Sequence, residues 1–257
     1  MTTAELKSEI VDGVGVISLN RPHRHNAITD SLFEELSAVL RQQLDDQSIR
    51  CVLLRGEGRS FCSGRDTAEL GRRADGQDDF TFVREHQRLR LDALESTKPI
   101  VAAVQGAVLG GGFEIALSAD IRIIAEDAFF GLPEVGLGLV PDTGGTQILP
   151  ALVGPARAKY LVLSGAHIDA ATAYAWGLAE EIVPVDQLTQ RAMQFCLGLA
   201  TQPVLAMSMG KLLVNQATAG PIRNGIAQEL LAQTALFSSS EYQQLKDRHP
   251  RARREGP

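Results

Sequence analysis

Short apolar runs rich in β-branched residues alternate with helical patterns along the first half of the chain, and this alternation restricts the fold more than any other feature. SEIVDG and GVISLN are two strand-like runs joined by a turn that contains glycine, which predicts a hairpin. RCVLLRG, KPIVAAVQG and DIRIIAED are later buried-strand patterns with helical segments between them. Because strands that alternate with helices form parallel sheets through crossover connections, the pattern predicts an α/β core.

The helical segments become dominant toward the C-terminus. The first predicted helix carries apolar residues on one face, and either Thr29 or Ser31 caps its start. The polar segment 72–79 predicts a surface loop, and a further helix follows it. After Gly154 helical patterns prevail, and we expect a helical portion from about residue 200. A chain of 257 residues is long for one domain and short for two, so one core with a small appendage is expected.

The composition argues against several classes of function. A net charge of −6 disfavours a nucleic-acid surface, and we interpret the basic tail RHPRARR as solvated, with a phosphate contact as the alternative. The most apolar stretch, 99–117, is interrupted by glycines and two polar residues, so we expect no membrane span. No secretory signal is apparent at the N-terminus. The cysteines Cys51, Cys62 and Cys196 lack metal-ligand spacing, which predicts reduced thiols, no metal site and a cytoplasmic protein.

A run of three glycines in QGAVLGGGFEIA lies between a predicted strand and a predicted helix. Glycine loses much backbone entropy on folding, so a triplet indicates a tight turn or a close backbone approach. A helix that begins at such a turn directs unpaired N–H groups and the positive end of its dipole outward. Three interpretations stay open on these residues alone: a phosphate cradle, an oxyanion hole, or a turn without a ligand.

The phosphate interpretation has one specific form, a short-chain NAD(P) dehydrogenase. Gly106, Gly110 and Gly112 match the glycine loop of those enzymes, and Tyr242 with Lys246 matches their Tyr-x-x-x-Lys pair. In those enzymes, however, the glycine loop lies near the N-terminus, whereas about a hundred residues precede it here. Only eleven residues follow Lys246, too few to complete the substrate side of that fold. The dehydrogenase is therefore the disfavoured alternative.

Five motifs in order carry a different resemblance: NRPHRHNAI, RSFCSGRD, GGGFE, FGLPEVGLGLVPDTGGTQ and LSGAHIDAATAYAWGLAEEIVP. Together they resemble the enoyl-CoA hydratase/isomerase (crotonase) family over roughly residues 8 to 200. The resemblance implies an α/β spiral of ββα repeats with the CoA-ester site in residues 1–199, and a helical trimerisation region in residues 200–257. It also implies an acyl-CoA substrate, no cofactor other than the CoA of that substrate, and a homotrimer or a hexamer of paired trimers.

The resemblance also assigns the groups that polarise the thioester. It implies an oxyanion hole formed by the backbone N–H groups of Arg65 and Gly111, and it implies that the backbone of Arg65, Asp66, Thr67 and Ala68 holds the CoA adenine. Two preset donors stabilise the enolate oxygen that develops when the α-carbon gains or loses a proton. Since the donors are backbone groups, the Arg65 side chain is left either for a CoA phosphate or for the surface.

Two glutamates correspond to the pair that flanks a water in hydratases of this family. They are Glu114, two residues after the triplet, and Glu134 in LPE. Two carboxylates in one pocket cannot both ionise freely, so we expect at least one raised pKa, which suits general acid–base catalysis. In the implied mechanism both carboxylates position water for attack at C3, and Glu134 supplies a proton to C2. Taken singly, Glu114 is also consistent with an acid at a helix start and Glu134 with an ordinary loop acid.

Asp142 in PDTGG leaves the reaction open. Many hydratases have a small residue here, whereas dienoyl-CoA isomerases, ring-epoxide isomerases and chlorobenzoyl-CoA dehalogenases have an acid. Carnitinyl-CoA dehydratases share a similar PDSGG segment. Asp142 is accordingly either a turn residue or a substrate contact, with a nucleophile less favoured. The sequence predicts an enoyl-CoA hydratase, with an isomerase or a carnitinyl-CoA-type dehydratase as alternatives, and a non-catalytic acyl-CoA-binding protein as the alternative from another class.

The C-terminal sequence departs from the pattern of the family. Phe237 is the candidate aromatic residue to cover CoA, and Lys246 is the candidate phosphate contact. Several other residues are predicted to be structural. These are Cys62, Tyr174 and Trp176 in the core and Met193, Met207 and Met209 in helix packing.

Overall fold

The computed structural model describes residues 4–73 and 76–248. Its strands are β1 (Leu6–Val11), β2 (Val14–Leu19), β3 (Cys51–Gly56), β4 (Ile100–Val104), β5 (Ala107–Leu109), β6 (Ile121–Ala125), β7 (Phe129–Gly131), β8 (His167–Asp169) and β9 (Glu181–Val183). Its helices are α1 (Asp30–Asp45), α2 (Asp79–Glu95), α3 (Gly111–Leu117), α4 (Gly145–Val153), α5 (Pro155–Ser164), α6 (Ala170–Ala175), α7 (Leu188–Ala200), α8 (Val204–Phe237) and α9 (Ser240–Arg248).

The strands form two sheets. The larger sheet has the order β1-β2-β3-β4-β6-β9, and the smaller has the order β5-β7-β8. β1 and β2 form the predicted antiparallel hairpin, and the remaining neighbours in the larger sheet are parallel. The predicted α/β core is thus confirmed.

Both faces of the central strands β2, β3, β4 and β6 are buried, which explains why these strands read as continuous apolar runs. One face packs on α7, where Leu188, Ala192 and Cys196 meet side chains such as Val16 and Leu53. The other face packs on α1 and on the elements that surround α3. The candidate site lies on this second side.

Local signals locate most boundaries. Thr29, and not Ser31, caps α1, because the Thr29 side chain accepts a hydrogen bond from the Leu32 N–H at 3.1 Å. Residues 72–73 and 76–78 of the predicted loop precede α2, residues 74–75 lie outside the described residues, and Asp79 already belongs to the helix. Asp78 caps α2 by accepting the Thr81 N–H. α8 spans Val204–Phe237 and contacts both α2 and α4, so it reaches back over the core.

Some structural predictions are wrong. The Tyr174 side chain is 52% exposed because it lies on the outer face of the short helix α6, and Met209 on α8 is also exposed. Trp176 is partly buried against the core, and Cys62 is fully buried as predicted. The basic tail RHPRARR begins at Arg248, and the rest of it lies outside the described residues, so its solvation stays a prediction.

Within residues 4–73 and 76–248 no single helix is long and apolar enough to cross a membrane. One pair of helical segments, Val185–Ala200 and Val204–Ala217, passes the same test together, with a bend of 108° between them.

Candidate active site

A cavity of about 210 Å³ opens where the loop after β3, the start of α3 and the segment 133–143 meet α2 and α8. Five of the residues predicted for the site line it: Arg65, Thr67, Gly111, Glu114 and Glu134. Asp142 lines it as well. The structure therefore brings both glutamates, both predicted oxyanion donors and the unassigned acid to one place.

Asp66 and Ala68 are not among the residues that line the cavity. Asp66 is buried and pairs with Arg21, with its Oδ2 3.2 Å from Arg21 Nη2. Its other oxygen accepts the Ala68 N–H at 3.1 Å. Asp66 thus stabilises the loop itself, and the binding of adenine by residues 65–68 stays a prediction.

Two amide N–H groups face the cavity without a partner. Gly64 brings their backbone segments together: at φ +96° its Cα lies so close to the next strand that an added Cβ would be 2.8 Å from Leu109 O and 3.7 Å from Gly111 N. In residues 4–73 and 76–248 neither the Arg65 N–H nor the Gly111 N–H donates a hydrogen bond. Two such donors in a cavity can bind an oxyanion.

The helix that carries Gly111 begins unusually close to the neighbouring chain. A Cβ on Gly112 would lie 2.3 Å from Cys62 O and 2.7 Å from Cys62 Sγ. Only glycine allows this approach, so backbone contact explains the third glycine of the triplet, Gly112. Burial raises the pKa of the Cys62 thiol to about 12, which makes it a packing residue and not a nucleophile.

Glu114 is 2% exposed and lies on α3. Its Oε1 accepts the N–H groups of Thr143 and Gly145, each at 2.8 Å. These two amides orient the carboxylate. Its Oε2 accepts no hydrogen bond from the described residues and is available to a water or a substrate.

Glu134 lies in a 3₁₀ turn, Glu134–Leu137, against the glycine triplet. A Cβ on Gly110 would lie 2.7 Å from Glu134 Oε1. The other oxygen, Oε2, is buried and has no hydrogen-bond partner in the part of the chain that the structure describes. Burial, and then the negative charge of Glu114, raise the pKa of Glu134 well above its usual value.

Asp142 is a third acid in the cavity. Burial first, and the charge of Glu114 second, raise its pKa to about 7, although Arg65 and a hydrogen bond with Gln233 act in the opposite direction. The Asp142 carbonyl accepts Gln87 Nε2 at 2.7 Å, which fixes the backbone at this point. An acid with a pKa near neutrality can give or accept a proton at physiological pH.

Aromatic side chains cover the opposite side of the cavity. Phe33 stacks on His86 with ring centroids 4.4 Å apart, and Phe82 lies against the same imidazole at 4.1 Å. Phe237 of α8 meets Phe82 edge-on at 6.4 Å. We call Phe33, Phe82, His86 and Phe237 the aromatic wall.

The guanidinium of Arg65 belongs to this side. It pairs with Asp30, donates toward His86 Nε2 at 3.2 Å, and lies 4.6 Å from the centre of the Phe82 ring. This partly buried conformation differs from the surface option, and a contact with a CoA phosphate stays a prediction. Arg73 also stacks on Phe82, at 3.9 Å, and pairs with Asp79 at 2.8 Å.

The C-terminal candidates are placed differently from one another. Phe237 lines the cavity of its own chain, and Lys246 does not line it. Tyr242 is 2% exposed and lies with Lys246 on α9 beside Gly71. Since neither Tyr242 nor Lys246 lines the cavity that the glycine triplet borders, the arrangement required of a dehydrogenase is absent from the described residues.

The sequence did not indicate two buried charged residues behind the cavity. Glu229 of α8 is 4% exposed, and Arg90 of α2 is 1% exposed. Both contact the segment that follows Asp142. Sequence reasoning missed Glu229 and Arg90 because the periodicity of their helices does not predict that a charged side chain is buried. Within residues 4–73 and 76–248, no cluster of three or more His, Cys, Asp or Glu side chains could hold a metal ion.

Comparison with known proteins points in one direction. The sequence profile described as enoyl-CoA hydratase/isomerase matches residues 9–250. The chain is 34% identical to 1,2-epoxyphenylacetyl-CoA isomerase of Escherichia coli over 240 residues, which is 92% of each chain. It is 35% identical to short-chain-enoyl-CoA hydratase of Clostridium acetobutylicum over 236 residues, 89% of this chain and 87% of the relative. Its fold matches a crystal structure of an enoyl-CoA hydratase from Mycobacterium avium subsp. paratuberculosis with a TM-score of 0.87 and 28% identity, covering 96% of this chain and 99% of the other.

Proposed function

The chain belongs to the enoyl-CoA hydratase/isomerase family and has its crotonase-like fold, and from this premise we propose that it is an enoyl-CoA hydratase. The reaction is the reversible addition of water across the 2,3 double bond of an enoyl-CoA thioester. No cofactor other than the CoA of the substrate is required by this proposal.

One observation carries the proposal: Glu114 and Glu134 line the same cavity as the unpaired N–H groups of Arg65 and Gly111. The amides are suited to the thioester oxygen, and the carboxylates are suited to a water beside C2 and C3. A cavity of about 150 Å³ accommodates benzene, so the volume of about 210 Å³ suits a short acyl group or a single ring.

The proton inventory is consistent with hydration. Glu114, which two amides orient, accepts the proton that water loses as its oxygen bonds to C3. The electron pair of the double bond moves toward the thioester oxygen, where the two N–H groups stabilise the enolate. Glu134, whose raised pKa keeps a proton on it, then protonates C2. Proton transfer between the two carboxylates restores the starting state.

Isomerisation of an acyl-CoA is the second candidate, and Asp142 favours it. A third acid with a pKa of about 7 can move a proton between two carbons without a net addition of water. One relative, at 34% identity, is named as an isomerase. A carnitinyl-CoA-type dehydratase uses the same elements in the direction of water loss.

We also propose that the protein acts in the cytoplasm as a homotrimer or as a hexamer of two paired trimers. Apolar side chains on the first half of α8 support assembly, since Leu205, Leu213 and Val214 are 76%, 60% and 71% exposed. Sedimentation velocity tests this proposal, because a monomer at micromolar concentration contradicts it.

The decisive test follows the absorbance of the conjugated thioester when the purified protein meets crotonyl-CoA. We expect rapid loss for the wild type and a decrease in kcat of about 10²–10⁴-fold for Glu114→Gln and for Glu134→Gln, because each variant removes one acid–base group. We also expect kcat to fall as the pH rises through the pKa of Glu134, since the protonated form is the donor.

Each alternative gives a different result. If crotonyl-CoA is unchanged but dienoyl- or epoxide-containing thioesters isomerise, and Asp142→Asn abolishes that activity, the protein is an isomerase. If thioesters bind and none is converted, the protein is a non-catalytic acyl-CoA-binding protein and the hydratase proposal is wrong.

A further inference from the structure

Glu229 of α8 holds the turn at residues 143–146 from the side opposite to Glu114. Its Oε2 accepts the Gly144 N–H at 2.8 Å. Its Oε1 accepts the Thr146 N–H at 3.1 Å and lies 2.6 Å from the Thr146 hydroxyl, which donates to it. Because Thr143 and Gly145 donate to Glu114, the four consecutive N–H groups of this turn go alternately to two carboxylates.

The same face of α8 fixes the residue that precedes the turn. Ile226, Glu229 and Gln233 are spaced by three and four residues, so they share one face of the helix. Gln87 Nε2 donates to the Ile226 carbonyl at 2.9 Å and to the Asp142 carbonyl at 2.7 Å, and so links α8 to the turn. Gln233 also interacts with the Asp142 side chain.

Arg90 of α2 supplies the buried positive charge beside these acids. It donates to both the carbonyl and the hydroxyl of Thr143. Burial lowers its pKa to about 10, while the charges of Glu114, Glu229 and Asp142 act in the opposite direction. Burial and then the charge of Glu114 raise the pKa of Glu229 to about 8, although three donors favour its anionic form.

We propose that Glu229 is a positioning residue, which holds the 143–146 turn so that its amides fix Glu114 and its first residue presents Asp142 to the cavity. This inference rests on the proposed acyl-CoA chemistry of the same site. Glu229 does not line the cavity and so does not touch the substrate. Glu229 acts through the turn. When the carboxylate that accepts the Gly144 and Thr146 N–H groups is lost, the turn relaxes, and the N–H groups of Thr143 and Gly145 no longer fix Glu114.

The variant Glu229→Gln tests the inference. Glutamine keeps the volume but places an NH₂ group against an amide donor of the turn. We expect kcat for crotonyl-CoA to fall on the order of 10²-fold, since a displacement of about 1 Å at a reacting group has such an effect. We expect KM and the affinity for butyryl-CoA, measured by calorimetry, to change little. The fall in kcat that follows deprotonation of Glu134 should shift in pH, because the groups facing Glu229 (Glu114, Asp142 and Arg90) no longer sense its ionisation near pH 8.

Glu180→Gln is the matched control. Glu180 also accepts a backbone N–H, from Arg122 at 2.6 Å, and pairs with that buried guanidinium at 3.3 Å, but it does not line the cavity or contact the turn. If Glu229 were only structural, both variants would lower the melting temperature and leave kcat and the pH profile unchanged.

Thr146→Val is a milder test in case Glu229→Gln folds poorly. It removes only the hydroxyl that donates to Glu229, and we expect a decrease in kcat of about 3- to 10-fold. If the wild type is active and the folded variants keep the wild-type kcat, the inference on Glu229 is overturned and the proposed function stands. An inactive wild type overturns the proposed function, and the inference with it.

Discussion

The two sides of the cavity are built from different material. On one side, which we call the backbone wall (Gly64, Arg65, Gly110 and Gly111), the residues line the cavity with their peptide groups. Short β bridges fix this wall, with Cys62 beside Val108 and Ile28 beside Arg65. On the other side, the aromatic wall consists of rings from α1, α2 and α8. Peptide geometry suits the part of the substrate that every acyl-CoA shares, the thioester. Side chains suit the part that varies, the acyl group.

The largest effect is expected when the backbone wall is displaced without a change to any side chain that faces the substrate. Such a variant tests whether this wall activates the thioester. Gly112→Ala places a Cβ 2.3 Å from Cys62 O, so α3 must shift and Gly111 with it. We expect kcat/KM for crotonyl-CoA to decrease by about 10²–10³-fold, as when one oxyanion donor is lost. Steady-state kinetics measure this loss.

Gly198→Ala in α7 provides the control for this experiment. No atom lies within 4 Å of a Cβ at this position, so the change should increase stability slightly through helix propensity. If Gly112→Ala behaves like Gly198→Ala in both activity and melting temperature, the close approach of the backbone is not what places the donors.

Asp142 lines the cavity but belongs to neither wall. Its effect on the free energy of unfolding measures how much stability the protein loses when an acid ionises at this position. Its folded-state pKa of about 7 exceeds the ordinary value of 3.8, so stability is lost as pH rises from about 4 through 7. Asp142→Asn should therefore be more stable than the wild type at pH 8 by about 2–4 kcal/mol and nearly equal to it at pH 4. Urea unfolding at the two pH values measures the difference.

Asp169 gives the opposite sign and serves as the comparison. Hydrogen bonds from Thr172 lower its pKa, so its contribution to stability is present above its unfolded pKa and is lost as pH falls through its folded pKa. Asp169→Asn should thus be slightly less stable than the wild type at neutral pH. A gain for both variants, or none for Asp142→Asn, contradicts the assignment of a raised pKa to Asp142.

The smallest expected effect concerns the aromatic wall. Phe82→Leu removes the ring that meets His86, Phe237 and both cavity arginines. We expect kcat/KM for cinnamoyl-CoA to fall about 3- to 10-fold more than kcat/KM for crotonyl-CoA. The reason is that ring–ring contacts with Phe82 stabilise the binding of an aromatic acyl group and not that of crotonyl.

Phe80→Leu is matched to this variant, since Phe80 lies on the same helix with a 40% exposed side chain. It should leave the ratio of the two substrates unchanged. If both variants change the ratio equally, the aromatic wall does not determine selectivity for the acyl group.

The backbone wall could be predicted from sequence through its glycine motifs and the family resemblance, whereas the aromatic wall, apart from Phe237, could not. The glycine triplet and SFCSGRD are local signals, and each loop closes through contacts that its own glycines require. Phe82 and His86 occur in an ordinary amphipathic helix, and no local pattern indicates which face of α2 meets a cavity. Only the packing of α2 against α8 decides that.

The same distinction holds for the fold. The hairpin β1–β2 and the cap of α1 follow from neighbouring residues, and they were predictable. The three-residue strands β5 and β7 are held by pairing partners about twenty residues apart, and α4 begins in a glycine pair and contains Pro150, which locally indicates a turn. Glu229 and the turn that it contacts are more than eighty residues apart in sequence, so no local sequence pattern predicts the contact.

The donors proposed to hold the enolate are peptide N–H groups, and every amino acid except proline supplies one at such a position. Substitution can therefore exchange the acids and rings around the cavity while the group that polarises the thioester persists. Evolution of a new reaction on this scaffold need not reinvent its most demanding step. It can retain activation at the α-carbon and vary only where protons come from and which acyl groups fit.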